Sequence, residues 1–173
     1  MYRIADFYAG VGGISAGFKK TGKTETVFAV DIEPKCKITY DLNSDVKQTT
    51  MDICKLNIDD IPDFDILCAG FNCQPFSIAG KQKGFSDKRT NSLKTLFEII
   101  KRKKPKCVFF ENVKGLLTHD GGKSFKKVLK KLEKSGMTSI YYKLLNTSEY
   151  TKIPQNRERI FIVVRKHVLI HFH

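Results

Sequence analysis

Short apolar runs alternate with amphipathic stretches along almost all of this chain, and that alternation leaves few architectures open to it. Residues 2–7, 25–30, 64–69, 106–110, 139–145 and 159–164 have the length and composition of buried strands. Between several of them, residues 14–20, 34–42, 92–103 and 123–134 carry helical spacing. Leu93, Leu96, Phe97 and Ile100 share one face of the third such stretch, and Phe125, Val128, Leu129 and Leu132 share one face of the fourth. Pro34 stands where a first helical residue would. This alternation predicts a doubly wound α/β fold, a mostly parallel sheet flanked by helices. No repeat, low-complexity segment or flexible linker interrupts it, so residues 1–173 are expected to form one domain.

Ligands and chemistry gather at the carboxyl ends of strands in such sheets. The first apolar run leads into Asp6-Phe7-Tyr8-Ala9-Gly10-Val11-Gly12-Gly13, a glycine turn ahead of a helix. Glycines let backbone approach a ligand closely, and helix-start N–H groups can face it. About twenty residues on, Asp31 ends the second run, well placed to hold a ribose hydroxyl. A nucleoside ligand follows from that geometry. A dinucleotide fingerprint would want a third glycine where Ser15 stands, which disfavours NAD.

The third run ends in Gly70-Phe71-Asn72-Cys73-Gln74-Pro75-Phe76-Ser77. A thiol in a tight turn just past a strand end is better explained as a nucleophile than as core filler, and it needs activation. Glu111-Asn112-Val113 follows the fourth run, which would bring its carboxyl group to the same rim. Gln155-Asn156-Arg157-Glu158-Arg159 precedes the last run. Arg157 and Arg159, two positions apart, would point the same way and could hold an anion, a carbonyl oxygen or neighbouring acids. Residues 79–89 are polar, basic and punctuated by glycine, as suits a loop that closes over a substrate and touches phosphates.

A formal net charge of +13 favours an anionic partner, nucleic acid first. Lysine supplies 25 of the 31 basic residues, so solvated helix surface is a competing source of that excess. The five cysteines are odd in number and form no CxxC pair. No signal peptide opens the chain and no apolar run reaches the length of a membrane span. A reduced, cytoplasmic protein without a disulfide frame is expected.

Together these residues resemble the bacterial DNA (cytosine-5)-methyltransferases, over residues 2–165. Residues 6–13 resemble the family's S-adenosyl-L-methionine (AdoMet) glycine motif, which implies cofactor contacts at Tyr8, Gly10, Gly12 and Gly13. Asp31-Ile32 takes the place of its acidic residue and adenine-packing neighbour, and Asp52-Ile53 is similar to its adenine-contacting pair. Residues 70–77 resemble the catalytic cysteine motif, Glu111-Asn112-Val113 the Glu-Asn-Val motif, and residues 155–159 the Gln-x-Arg-x-Arg motif. The resemblance implies a Rossmann-like AdoMet-dependent methyltransferase domain acting on double-stranded DNA without a metal, with a cognate restriction endonuclease as a further partner. It implies Cys73 as nucleophile toward a flipped cytosine, Glu111 as the acid at N3, and Arg159 with Arg157 steadying the base. Ser77, Lys81, Lys83 and Arg89 would contact DNA.

Three departures stand out. Asn72 occupies the position where the family usually has proline, and residues 89–93 fit their motif only loosely. The family's target-recognition region and last two motifs do not follow, so the sequence reads as truncated before them. Alternatives therefore stay open beside a full catalytic domain: a split-enzyme subunit needing a complementary C-terminal partner, or a remnant that only binds DNA. Little activity is expected of the 173 residues alone.

Overall fold

The computed structural model describes residues 1–71 and 88–166, the first four of the second stretch through their backbone alone. Seven strands form its sheet: β1 Tyr2–Phe7, β2 Thr24–Asp31, β3 Thr49–Thr50, β4 Ile66–Ala69, β5 Cys107–Val113, β6 Ser139–Asn146 and β7 Glu158–Arg165. The helices are α1 Gly13–Lys19, α2 Pro34–Asn43, α3 Lys88–Lys103, α4 Gly115–Thr118, α5 Lys123–Lys134 and α6 Thr147–Tyr150. Sheet order is β3-β2-β1-β4-β5-β7-β6. The pairs among β1 to β5 are parallel, whereas β7 runs antiparallel between β5 and β6. This is a Rossmann-like, mostly parallel α/β fold. Among the described residues no helix is long and apolar enough to cross a membrane.

The core follows from the two periodicities. On the sheet, Ala5, Phe7, Leu67, Ala69, Val108 and Phe110 face one side and are fully buried. In β7 every second residue, Ile160, Ile162 and Val164, joins the same cluster. Helix α3 closes over it with Leu93, Leu96, Phe97 and Ile100, and α5 with Phe125, Val128 and Leu132. Ile99 is also fully buried, which widens the predicted α3 stripe by one residue. Each such side chain contributes about 1.5–3 kcal/mol by leaving water.

Topology sets where a ligand can sit. The chain moves outward from β1 through β2 to β3, then returns to the other side of β1 at β4. The crevice at the carboxyl ends of β1 and β4 is therefore a topological switch point. Because β7 is reversed, its amino end lies beside the carboxyl end of β5, on that same rim.

Candidate cofactor and catalytic site

The turn after β1 depends on glycine in two different ways. Gly12 has a φ of 90° and caps the start of α1, and a Cβ there would stand 3.0 Å from the Tyr40 ring. Both the backbone and the space beneath it exclude a side chain. Gly10 and Gly13 have nothing within 4 Å of a Cβ position, so their exposed side is open to a ligand. Gly10 is clasped at both backbone groups. Its N–H donates to Asp31 Oδ2 at 2.8 Å, and its carbonyl accepts from Gln48 Nε2 at 2.8 Å. Asp31 Oδ1 accepts from the Glu33 N–H at 2.9 Å. Each carboxylate oxygen keeps a second lone pair for a hydroxyl donor.

Ile32 is 65% exposed beside Asp31, an apolar side chain left in solvent at a strand end. Asp52 accepts from the Cys54 N–H at 2.9 Å and so caps the short turn Ile53–Lys55. That turn sends the Ile53 side chain into the main core, where it is buried. Tyr8 takes a positive φ of 56°. Burial pushes its phenol up to about 12, with the Ser92 hydroxyl working the other way.

A cleft of about 660 Å³ opens on this turn, lined among others by Tyr8, Val11, Ile14, Gly70, Glu111 and Arg157. That volume suits a nucleoside-sized ligand. At its far wall the antiparallel register sets Val113 against Arg159 and Glu111 against Phe161. Arg159 Nε meets Glu111 Oε1 at 2.9 Å, with the side chains 22% and 23% exposed. Oε2 of Glu111 lies 3.4 Å from where a Cβ on Gly70 would be. One carboxylate oxygen is thus held by arginine while the other overhangs the end of β4. Lys114 Nζ reaches both oxygens of Glu158, at 2.8 and 2.9 Å, fastening the end of β5 to the start of β7.

Glu111, Arg157 and Arg159 therefore come together with Gly70 on one rim, as their positions predicted. Cys73, three residues past Gly70, lies outside the described residues, as do Ser77, Lys81 and Lys83. Arg89 falls in the first turn of α3, its side chain outside the description.

Two bracing residues had no predicted role. Asn112 is 3% exposed, and its Nδ2 donates to the Phe71 carbonyl at 2.6 Å. It thereby holds the backbone two residues before Cys73. Period 2 could have found it: Val108, Phe110 and Asn112 all point inward on β5, and an inward amide requires a partner. Gln48 carried no such signal, because its partner Gly10 is 38 residues away.

Residues 2–171 match the family of C-5 cytosine-specific DNA methylases. The Type II methyltransferase M.Bsp6I of Bacillus sp. (strain RFL6) is 46% identical over 166 residues, covering 94% of this chain and 52% of that protein. M.NgoBI of Neisseria gonorrhoeae is 47% identical over 163 residues, covering 94% and 50%. Among solved structures, the S. pombe Dnmt2 methyltransferase superposes with a TM-score of 0.83 at 24% identity, over 99% of this chain and 53% of that one. A Dnmt2 variant from Spodoptera frugiperda gives 0.77 at 28% identity, over 98% and 51%. The chain spans about half the length of the curated relatives it matches. With the glycine turn, the acid–arginine rim and this likeness in agreement, the chain belongs to the C-5 cytosine-specific DNA methylase family.

Proposed function

We propose that this chain binds AdoMet over the turn at residues 8–13 and carries the catalytic half of a DNA (cytosine-5)-methyltransferase, with Cys73 as nucleophile. The observation that carries the reading is the Glu111–Arg159 pair overhanging Gly70 at the edge of the cleft. The cofactor residues fit the ligand: Gly10 and Gly13 present open backbone, and Asp31 keeps lone pairs for ribose hydroxyls. Ile32 offers an apolar surface to a purine, while Asp52 and the Ile53 backbone offer polar contacts. When bound, AdoMet supplies an electrophilic methyl group on a sulfonium.

The protein's own groups divide the remaining work. Cytosine C5 is a weak nucleophile, and addition of the Cys73 thiolate at C6 makes it enamine-like. Negative charge then builds at N3. Glu111 is the acid that meets N3, and Arg159 holds its carboxyl group in place through Oε1. Arg157 and Arg159 steady the base and the neighbouring loop. After C5 takes the methyl group, loss of its proton and departure of Cys73 restore the ring. A cytosine reaches this rim only by leaving the duplex. Ser77, Lys81, Lys83 and Arg89 are assigned to the opened DNA backbone, and the work is placed in the bacterial cytoplasm.

A second reading rests on length. The chain spans about half the length of those relatives, and in this reading a complementary C-terminal polypeptide would supply base recognition and the rest of the cofactor pocket, with a cognate restriction endonuclease alongside. Tritium transfer from labelled AdoMet to mixed-sequence DNA separates the two, run with and without such a polypeptide. Cys73-dependent transfer only with the complement supports the split enzyme, and transfer by the chain alone refutes it. No transfer under either condition sinks the catalytic assignment.

A further inference from the structure

Asp6 is fully buried, one residue before the end of β1, and the catalytic scheme gives it nothing to do. It sits on the face opposite Ala5 and Phe7, with Ala29 of β2 and Cys68 of β4 as its strand neighbours. Ser15 from α1, Tyr40 from α2 and Cys68 from β4 face it, with the Asp31 charge of β2 acting from further off. No basic side chain is among these groups. Neither carboxyl oxygen has a hydrogen-bond partner of good geometry among the described residues, although the Ser15 hydroxyl and N–H lie close enough to pull on it. Ser15, 5% exposed, lies beside it but spends its hydroxyl elsewhere: Oγ donates to the Gly12 carbonyl at 3.2 Å.

A serine hydroxyl has one proton to give. An uncharged Asp6 leaves that proton to Gly12 and can itself donate toward Ser15 Oγ. A charged Asp6 competes for it. We propose that Asp6 is a positioning residue for the cofactor turn: in its uncharged form it lets Ser15 hold the Gly12 carbonyl, and on ionising it draws the Ser15 hydroxyl away and loosens the turn. The idea rests on AdoMet binding at residues 8–13. Burial drives the Asp6 carboxyl up to about 7, against the pull of the Ser15 hydroxyl and N–H, and the Asp31 charge adds to the rise. The change therefore falls near neutral pH.

Two amides report on the turn without any ligand: the Gly12 N–H, bonded to the Ala9 carbonyl at 2.8 Å, and the Ala16 N–H, bonded to the Gly12 carbonyl at 2.9 Å. The experiment measures their hydrogen-exchange protection factors and the AdoMet dissociation constant across pH 5.5–8.5, on wild type, Asp6→Asn and Ser15→Ala. In wild type, protection and affinity are expected to fall by about fivefold as pH rises through about 7, the worth of one net hydrogen bond. Asp6→Asn, which stays neutral, and Ser15→Ala, which has no proton to contest, should both respond flatly. The same pH step in wild type and Asp6→Asn, or a flat wild type, overturns the proposal. If Asp6→Asn does not fold, Ser15→Ala decides by the same criterion. Protection factors that follow the expected pattern in a chain that does not bind AdoMet would refute the cofactor reading and leave Asp6's hold on the turn standing.

Discussion

The two halves of the rim are built by different means. On the cofactor side, Gly10 is gripped at its N–H by Asp31 and at its carbonyl by Gln48, and Gly12 rests on the Tyr40 ring. Nearly every contact there runs from a side chain to backbone. On the proposed catalytic side, charged side chains hold one another, Glu111 to Arg159 and Lys114 to Glu158, while the amides of Asn112 and Asn146 reach backbone. Backbone clasps fix a surface whatever the salt. Ion pairs between partly exposed side chains are weaker and screened, the Lys114–Glu158 pair more so than the Glu111–Arg159 pair.

The largest test of this division is Cys73→Ser. It should abolish whatever methyl transfer the wild-type chain supports under the same conditions, while the AdoMet dissociation constant stays within about twofold. Equal loss of both would mean that the two halves are one unit. Arg159→Ala frees Glu111 Oε1 and should slow transfer on the order of 10²-fold at near-constant AdoMet affinity. Gly12→Ala attacks the other half. Positive φ and the Tyr40 ring together should cost about 3 kcal/mol in denaturant unfolding and weaken AdoMet before they touch chemistry. Asn112→Ala leaves the Phe71 carbonyl without its donor and should cost about 2 kcal/mol. The smallest effect belongs to Lys114→Gln, under about 1 kcal/mol and absent in 1 M salt, because that pair is exposed.

Legibility in the sequence divides along similar lines. The apolar periods of β1, β2, β4 and β5 are local, and so were the helices whose stripes they bury. The glycine turn could be read because the positive φ that Gly12 adopts is a demand of its own backbone. Reversal of β7 was not visible, since strand direction depends on which strands pair across long separations. The burial of Ile53 in the core was not legible beside Asp52, because it follows from the cap that Asp52 makes on the next turn. Gln48 and Tyr40 brace glycines far away in sequence, and no local pattern marks such a partner. Asp6 belonged to a recognisable motif, but only burial on all sides reveals that its charge is unwelcome there.

The placement of β7 also has a consequence in time. It lies between β5 and β6, and among the described residues β6 has no other strand to pair with. A chain emerging from the ribosome can build β1 to β5 and the glycine turn early. Until residue 165 is out, β5 has a bare edge and Glu111 has no arginine. The nascent protein would then form the glycine turn before the acid–arginine rim, and a stall in synthesis just before β7 would leave a sticky, half-made sheet.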